Sequence, residues 1–81
     1  MTLNETQSAA VCLGFCAMYK IADAAREREF TPNIYINEMG TLEVHVATLS
    51  KYFYHLKDRT PKEIDDFVNI TLDAISNADI R

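Results

Sequence analysis

Hydrophobic positions in the first third of the chain recur with helical spacing. Residues 5–28 contain no proline and many alanines, and Glu5 suits the positive end of a helix dipole. One face of this predicted helix collects Val11, Phe15, Met18, Ile21, Ala22 and Ala25, and the adjoining face collects Ala10, Gly14, Ala17 and Ala24. Only a narrow strip with Lys20, Asp23 and Glu27 is clearly polar. The pattern predicts a long helix that is covered on most of its sides.

The middle of the chain alternates apolar and polar residues with the period of a β-strand. Residues 33–37 and 42–46 predict two strands, and Gly40 in the link between them allows a positive φ. One face of this hairpin carries Ile34, Ile36, Leu42, Val44 and Val46, and the other carries Tyr35, Glu43 and His45. Because an isolated two-stranded ribbon is marginal in water, we expect it to pack on helices or to pair with another sheet.

Two further helices are predicted after the hairpin. The first spans residues 49–58 with Thr48 as its N-cap. Its inner side would hold Leu49, Tyr52, Phe53 and Leu56, and its outer side Lys51, Tyr54, His55 and Asp58. Thr60, Pro61 and Glu63 have the spacing of a capping box that starts the last helix, which runs to about residue 77. Its apolar stripe holds Ile64, Phe67, Val68, Thr71, Leu72 and Ile75.

These elements predict one α+β domain over residues 1–81 with the order α-β-β-α-α: a long N-terminal helix, a two-stranded antiparallel hairpin and two C-terminal helices. So few residues do not enclose an apolar helix completely. We therefore expect a symmetric homodimer that uses helix 1 or an edge of the hairpin. The residues predicted for self-association on helix 1 are Val11, Phe15, Met18, Ala10, Gly14 and Ala17.

The charge balance narrows the possible partners. The 8 Lys and Arg residues against 12 Asp and Glu residues give a net charge of -4, which argues against generic nucleic-acid binding and leaves basic proteins as partners. The apolar run at residues 9–19 is shorter than a membrane span, and the first residues lack a secretory pattern. We expect a cytoplasmic protein with free thiols that does not enter a membrane.

Few residues have the spacing of a catalytic or metal site. Cys12 and Cys16 lie one helical turn apart, and His45 and His55 would complete a two-Cys, two-His zinc site if all four converged. Both histidines are predicted on outward faces, so we expect no metal there. The chain has no phosphate-binding glycine loop and no hydrolase motif. The sequence therefore predicts a non-enzymatic protein without a cofactor.

An acidic surface on the last helix provides one functional hypothesis. Asp65, Asp66 and Asp73, with Asp79 beyond them, imitate a row of phosphates. Such a surface would dock on a basic, nucleic-acid-binding protein and inhibit it. Small accessory proteins encoded by phages often act as inhibitors, and this chain is analogous to them in size alone.

A basic and aromatic segment provides the alternative. Residues 51–62 interleave lysines with tyrosines, and Lys51, Tyr54, His55 and Arg59 are the predicted ligands for a nucleotide or a single-stranded nucleic acid. Tyr54 and His55, together with Tyr35 and His45 on the open face of the hairpin, also suit a protein interface, where tyrosine is enriched.

Overall fold

Two helices flank three consecutive strands in the computed structural model, which describes residues 2–77. The elements are α1 (Glu5–Glu27), β1 (Pro32–Ile36), β2 (Leu42–Val46), β3 (Leu49–Phe53) and α2 (Pro61–Asn77), with a short 3-10 helix at Leu56–Asp58. The prediction of an α+β protein is confirmed, but the order is α-β-β-β-α.

The strands form one antiparallel sheet in the order β1-β2-β3. Leu42, Val44 and Val46 on the central strand are fully buried, and both helices contribute to the core beneath them. The hairpin faces are as predicted, since Ile34 and Ile36 pack on this core while Tyr35 is exposed. Gly40 in the β1–β2 link has the expected positive φ of 79°.

The predicted helix over residues 49–58 is wrong. Residues 49–53 form β3, which pairs with β2 so that Val44 faces Lys51 and Val46 faces Leu49. Ala47, with φ 53°, lies in the tight turn that reverses the chain, and Thr48 belongs to this turn and caps no helix. The third strand satisfies the second edge of β2, which a two-stranded hairpin would leave without hydrogen bonds. The ribbon therefore finds its expected sheet partner within its own chain.

Because residues 49–53 form a strand and not a helix, Lys51 and Tyr52 lie on the sides opposite to those predicted. In a strand, alternate side chains point to opposite faces. Lys51 consequently lies on the core-facing side opposite Val44, where it is half-buried, and Tyr52 lies on the open side opposite Glu43. The helix predicted over residues 49–58 would have placed Lys51 outside and Tyr52 inside. Leu49, Phe53 and Leu56 do pack on the core.

Helix α1 buries its face of small residues. Ala10, Gly14, Ala17, Ile21, Ala22 and Ala25 are buried, while Phe15 is 50% exposed. The helix begins with a capping box between Asn4 and Gln7. It is the one helix among residues 2–77 whose length and hydropathy would allow a membrane crossing, a property that core helices and signal sequences share.

Helix α2 begins at the predicted capping box. The backbone N–H of Glu63 donates to Thr60 Oγ1 at 3.2 Å, and the backbone N–H of Thr60 donates to Glu63 Oε1 at 3.1 Å. At its other end, the Arg28 guanidinium donates to the carbonyl oxygens of Ile75 and Ser76. These bonds satisfy terminal carbonyls that have no partner within the helix and fix the end of α1 against the end of α2.

Candidate functional site

The open face of the sheet carries four aromatic side chains in contact, which we call the aromatic row: Tyr35, His45, Tyr52 and Tyr54. The ring centroids of Tyr35 and His45 are 6.0 Å apart, those of His45 and Tyr52 are 5.7 Å apart, and those of Tyr52 and Tyr54 are 6.3 Å apart. The three tyrosines are 40%, 47% and 56% exposed. The row therefore offers a continuous, accessible aromatic surface across all three strands.

Strand register assembles the aromatic row. Tyr35 and Tyr52 lie on either side of Glu43, and His45 lies one level further along the central strand, between Asn33 and Ser50. Diagonal neighbours on one face of a sheet are close enough for aromatic side chains to touch. His45 thereby contacts the tyrosines of both outer strands. The helices pack on the opposite face, so nothing among residues 2–77 covers this arrangement.

A carboxylate lies within the aromatic row. Glu43 Oε1 accepts hydrogen bonds from Tyr35 Oη at 3.1 Å and from His45 Nε2 at 3.1 Å, and its Oε2 accepts one from Asn37 Nδ2 at 2.8 Å. The Glu43 side chain is 16% exposed. The bond from Asn37, followed by the bond from His45, lowers the pKa of Glu43, so it is ionised at neutral pH.

The same hydrogen bonds hold the rings in place. The bond to Glu43 raises the pKa of Tyr35, which keeps its hydroxyl protonated as a donor. His45 Nδ1 lies 3.0 Å from Ser50 Oγ while its Nε2 faces Glu43, so both nitrogens of the imidazole have partners. Side chains fixed in this way lose little conformational freedom when a partner binds.

Ser50, His45 and Glu43 form a hydroxyl–imidazole–carboxylate chain, the set of groups that activates a serine nucleophile in hydrolases. Nucleophilic catalysis also needs a substrate cleft and donors for the developing oxyanion. Ser50 is exposed on the open face of the sheet, and the open groove between α1 and β1 lies on the other side of the sheet. We therefore interpret the hydrogen-bonded series Ser50–His45–Glu43 as the support of the aromatic row.

The open face of the sheet carries few charged side chains. The six outward strand positions are Asn33, Tyr35, Glu43, His45, Ser50 and Tyr52. Glu43 is the one acidic residue among these six, and none of them is Lys or Arg. The face is therefore aromatic with one central negative charge.

The structure separates the predicted ligands Lys51, Tyr54, His55 and Arg59, because no helix displays them on one side. Tyr54 joins the aromatic row, while Lys51 lies on the core-facing side of β3. His55 is exposed in a left-handed turn with φ 54°. Arg59 is held by the Tyr54 carbonyl at 2.9 Å and by Glu63 at 2.9 Å. The shared helical surface proposed from the sequence does not form.

The predicted acidic surface does lie on the outside of α2. Asp65, Asp66 and Asp73 are all exposed. Lys62 Nζ lies 2.9 Å from Asp66 Oδ2 and neutralises part of this charge. The bond with Asp66 raises the pKa of Lys62, so the lysine stays protonated. Asp79 lies outside the described residues.

The residues predicted for self-association divide into two groups. Ala10, Gly14 and Ala17 are buried in the core of the chain itself, so they have no surface for a partner. Val11 and Met18 are half-buried, and Phe15 is exposed. An open groove of about 320 Å³ between α1 and β1 is lined by Phe15, Met18, Tyr19, Ala22, Arg26, Pro32 and Ile34.

The four possible zinc ligands lie apart. Cys12 and Cys16 are exposed on α1, His45 lies in the aromatic row, and His55 lies in the turn after β3. Within residues 2–77, no three His, Cys, Asp or Glu side chains group in a way that would hold a metal ion.

Tyr52 is the functional candidate that the sequence analysis missed. Its signal was the alternation of Leu49, Lys51 and Phe53 with Ser50 and Tyr52, which a short helix also accommodates.

Comparisons of the chain with protein-family models, with curated proteins and with solved structures gave no match.

Proposed function

We propose that this chain is a non-enzymatic interaction protein that binds another protein through the open face of its sheet. The aromatic row, fixed around Glu43, is the observation that carries this proposal. Tyrosines are enriched at interface hot spots because they bring a large contact area with few rotatable bonds. Three exposed tyrosines in a contiguous row are consistent with such a hot spot.

Charge favours a basic partner. The face presents one carboxylate, and the pKa of Glu43 is lowered, so the negative charge is present at neutral pH. Aromatic rings attract cations through their negative faces. A Lys or Arg side chain of the partner would therefore meet favourable groups, and the net charge of -4 would assist its approach. The proposal keeps the basic partner and the inhibitor role inferred from the sequence and moves the contact surface to the sheet.

A single-stranded nucleic acid is the second candidate, because bases stack on exposed aromatic rings. The aromatic row favours it. The absence of Lys and Arg from the six outward strand positions argues against it, since phosphate neutralisation supplies much of the affinity in such complexes.

The experiment compares immobilised variants for the proteins that they retain from a cell extract. We expect the double variant Tyr35→Ser with Tyr52→Ser to bind the retained partner with roughly ten- to thirtyfold lower affinity. Truncation of a hot-spot residue costs about 2 kcal/mol of binding free energy. Ile70→Ser is the matched control, because Ile70 is 58% exposed but lies on α2. It should retain the partner fully, and far-UV circular dichroism should show that all variants fold.

Other outcomes identify other surfaces. Loss of the partner in Asp65→Asn with Asp73→Asn, but not in the tyrosine variant, would assign binding to the acidic surface of α2 and overturn the proposal. A fluorescence titration with mixed single-stranded oligonucleotides at low salt tests the second candidate. Binding that Tyr52→Ser abolishes would support the nucleic acid, and no binding would eliminate it.

A further inference from the structure

Helix α1 has an exposed apolar surface that the rest of residues 2–77 leaves open. Cys12, Phe15, Cys16 and Tyr19, which we call the α1 stripe, repeat at the i, i+3, i+4, i+7 spacing of a helix–helix interface. Both cysteines are exposed, Phe15 is 50% exposed and Tyr19 is 72% exposed. Residues 6–19 contain no charged side chain. Contiguous exposed apolar surface of this kind marks an interaction site.

We propose that the α1 stripe binds the α1 stripe of a second copy of this chain, with the two helices antiparallel. The placement of charge supports this occupant. The midpoint of the stripe falls between Phe15 and Cys16, and Glu5 and Arg26 lie at equal distances before and after it. An antiparallel pair centred on the stripe places each Glu5 beside Arg26 of the other copy. A parallel pair would bring like charges together.

The borders of the stripe distinguish a second copy from a membrane surface. Helices that lie on anionic membranes carry Lys and Arg along their polar face. Here Asp23 and Glu27 accompany Lys20 and Arg26, so the border is mixed in sign. The partner-binding face proposed above lies on the open side of the sheet, whereas the α1 stripe belongs to the helical layer. The two surfaces are therefore available at the same time.

The antiparallel register makes a specific prediction about the thiols. With about 1.5 Å of rise per residue, the two Cys16 residues lie about 1.5 Å apart along the axis and the two Cys12 residues about 10 Å apart. With helix axes about 8–10 Å apart, the Cα atoms of the Cys16 pair approach to about 6 Å, within the range of a disulfide. Mild oxidation should therefore link two copies through Cys16 only.

The first experiment is mass measurement by light scattering after gel filtration under reducing conditions. We expect twice the chain mass of 9.2 kDa. Tyr19→Lys should return the protein to a monomer. Ile70→Lys, at an apolar side chain that is 58% exposed on α2, is the matched control and should leave the dimer intact.

The second experiment tests the register. Glu5→Lys and Arg26→Glu should each weaken the dimer, and the two together should restore it. After oxidation with oxidised glutathione, Cys12→Ser should still form a covalent dimer on a non-reducing gel, and Cys16→Ser should not. A monomer at all concentrations, a dimer that Tyr19→Lys leaves unchanged, or a monomer that co-sediments with anionic vesicles would each overturn the proposal.

Discussion

The side chain of Leu56 packs so closely on Gly14 that a Cβ atom built on Gly14 would lie 2.6 Å from Leu56 Cδ2. Leu56 is 1% exposed, and its backbone N–H also donates to the Gly40 carbonyl at 3.1 Å. The chain that leaves the sheet is thereby fixed to both α1 and the β1–β2 link. Gly14 thus provides the space in which the chain passes from β3 to α2.

Gly14→Ala should destabilise the protein. Alanine gains about 1 kcal/mol over glycine within a helix, but overpacking a core costs about 1–3 kcal/mol. Leu56 is enclosed, and its Cγ would also lie only 3.3 Å from the new Cβ, so the side chain has little room to rotate away. We expect a net loss of about 1 kcal/mol in the free energy of unfolding, measured by urea denaturation.

The control for this prediction removes the neighbour. In a Leu56→Ala background the clash disappears, and Gly14→Ala should become stabilising by up to about 1 kcal/mol. Because Leu56→Ala itself costs about 2–5 kcal/mol, both chains are compared in an osmolyte that strengthens folding. An equal effect of Gly14→Ala in the two backgrounds would contradict the close contact.

Glu29→Gly should stabilise the protein. The N–H of Phe30 donates to the Ala25 carbonyl at 2.9 Å and that of Glu29 to the Arg26 carbonyl at 2.9 Å, the two bonds of a Schellman motif. Glu29 has φ 63°, a conformation that glycine adopts without strain. We expect a gain of about 0.5–1 kcal/mol, the left-handed penalty less the extra backbone entropy of glycine.

Asp23→Gly provides the comparison within α1. Asp23 is exposed within α1, and its substitution by glycine should lower the free energy of unfolding by up to about 1 kcal/mol. The two substitutions should therefore shift the thermal midpoint in opposite directions. A midpoint lowered by Glu29→Gly would show that the left-handed end of α1 carries no strain.

Local signals predicted the parts of the fold that they determine. The capping box at Thr60 and Glu63 set the start of α2, and strict alternation set the faces of the hairpin. The pairing of β3 depends on the free edge of β2, a contact between segments that the periodicity of residues 49–53 does not contain. The aromatic row was therefore only partly predicted, because Tyr52 moved to it with the strand.

The buried face of α1 was also determined by its neighbours. The sequence predicted Phe15 and Met18 for self-association, in one set with Ala10, Gly14 and Ala17. In the fold, Leu56 packs on Gly14, and Ala10 and Ala17 are buried in the core. A nearly all-apolar helix leaves this choice to packing. The exposed set that results, with Cys12 and Tyr19, differs from the set that the sequence predicted for self-association.

Lys51→Ile tests the third strand. Lys51 is half-buried on the core-facing side of an edge strand, opposite Val44. Isoleucine would add apolar packing and strand propensity, worth about 0.5–1 kcal/mol, and should raise the urea midpoint. It should also increase aggregation, since an inward charge protects an edge strand from pairing with another chain. Lys20→Ile, at an exposed position of α1, should give no such gain in stability. A lower urea midpoint for Lys51→Ile would contradict the assignment of residues 49–53 to a strand.

Acid should weaken the support of the aromatic row through Glu43. Hydrogen bonds from Asn37, His45 and Tyr35 lower its pKa from the ordinary value of 4.5. The unfolded chain therefore takes up a proton first as the pH falls. The stabilisation from Glu43 is fully present above pH 4.5 and is lost as the pH drops through the lowered pKa of the folded state. Glu63 contributes in the same direction, because the backbone N–H of Thr60 and then Arg59 lower its pKa.

Glu43→Gln should consequently be less stable than the parent chain at neutral pH and should differ less from it in acid. The measurement is the urea midpoint by far-UV circular dichroism at pH values above and below 4.5, the ordinary pKa. Asp65→Asn is the matched control, since Asp65 is exposed and makes no ion pair or hydrogen bond among residues 2–77, so the substitution should change the urea midpoint little at neutral pH. Parallel pH profiles for the Glu43→Gln variant and the parent would contradict the proposed network. A steeper loss of stability in the parent would show that Glu43 holds the open face together while it is ionised.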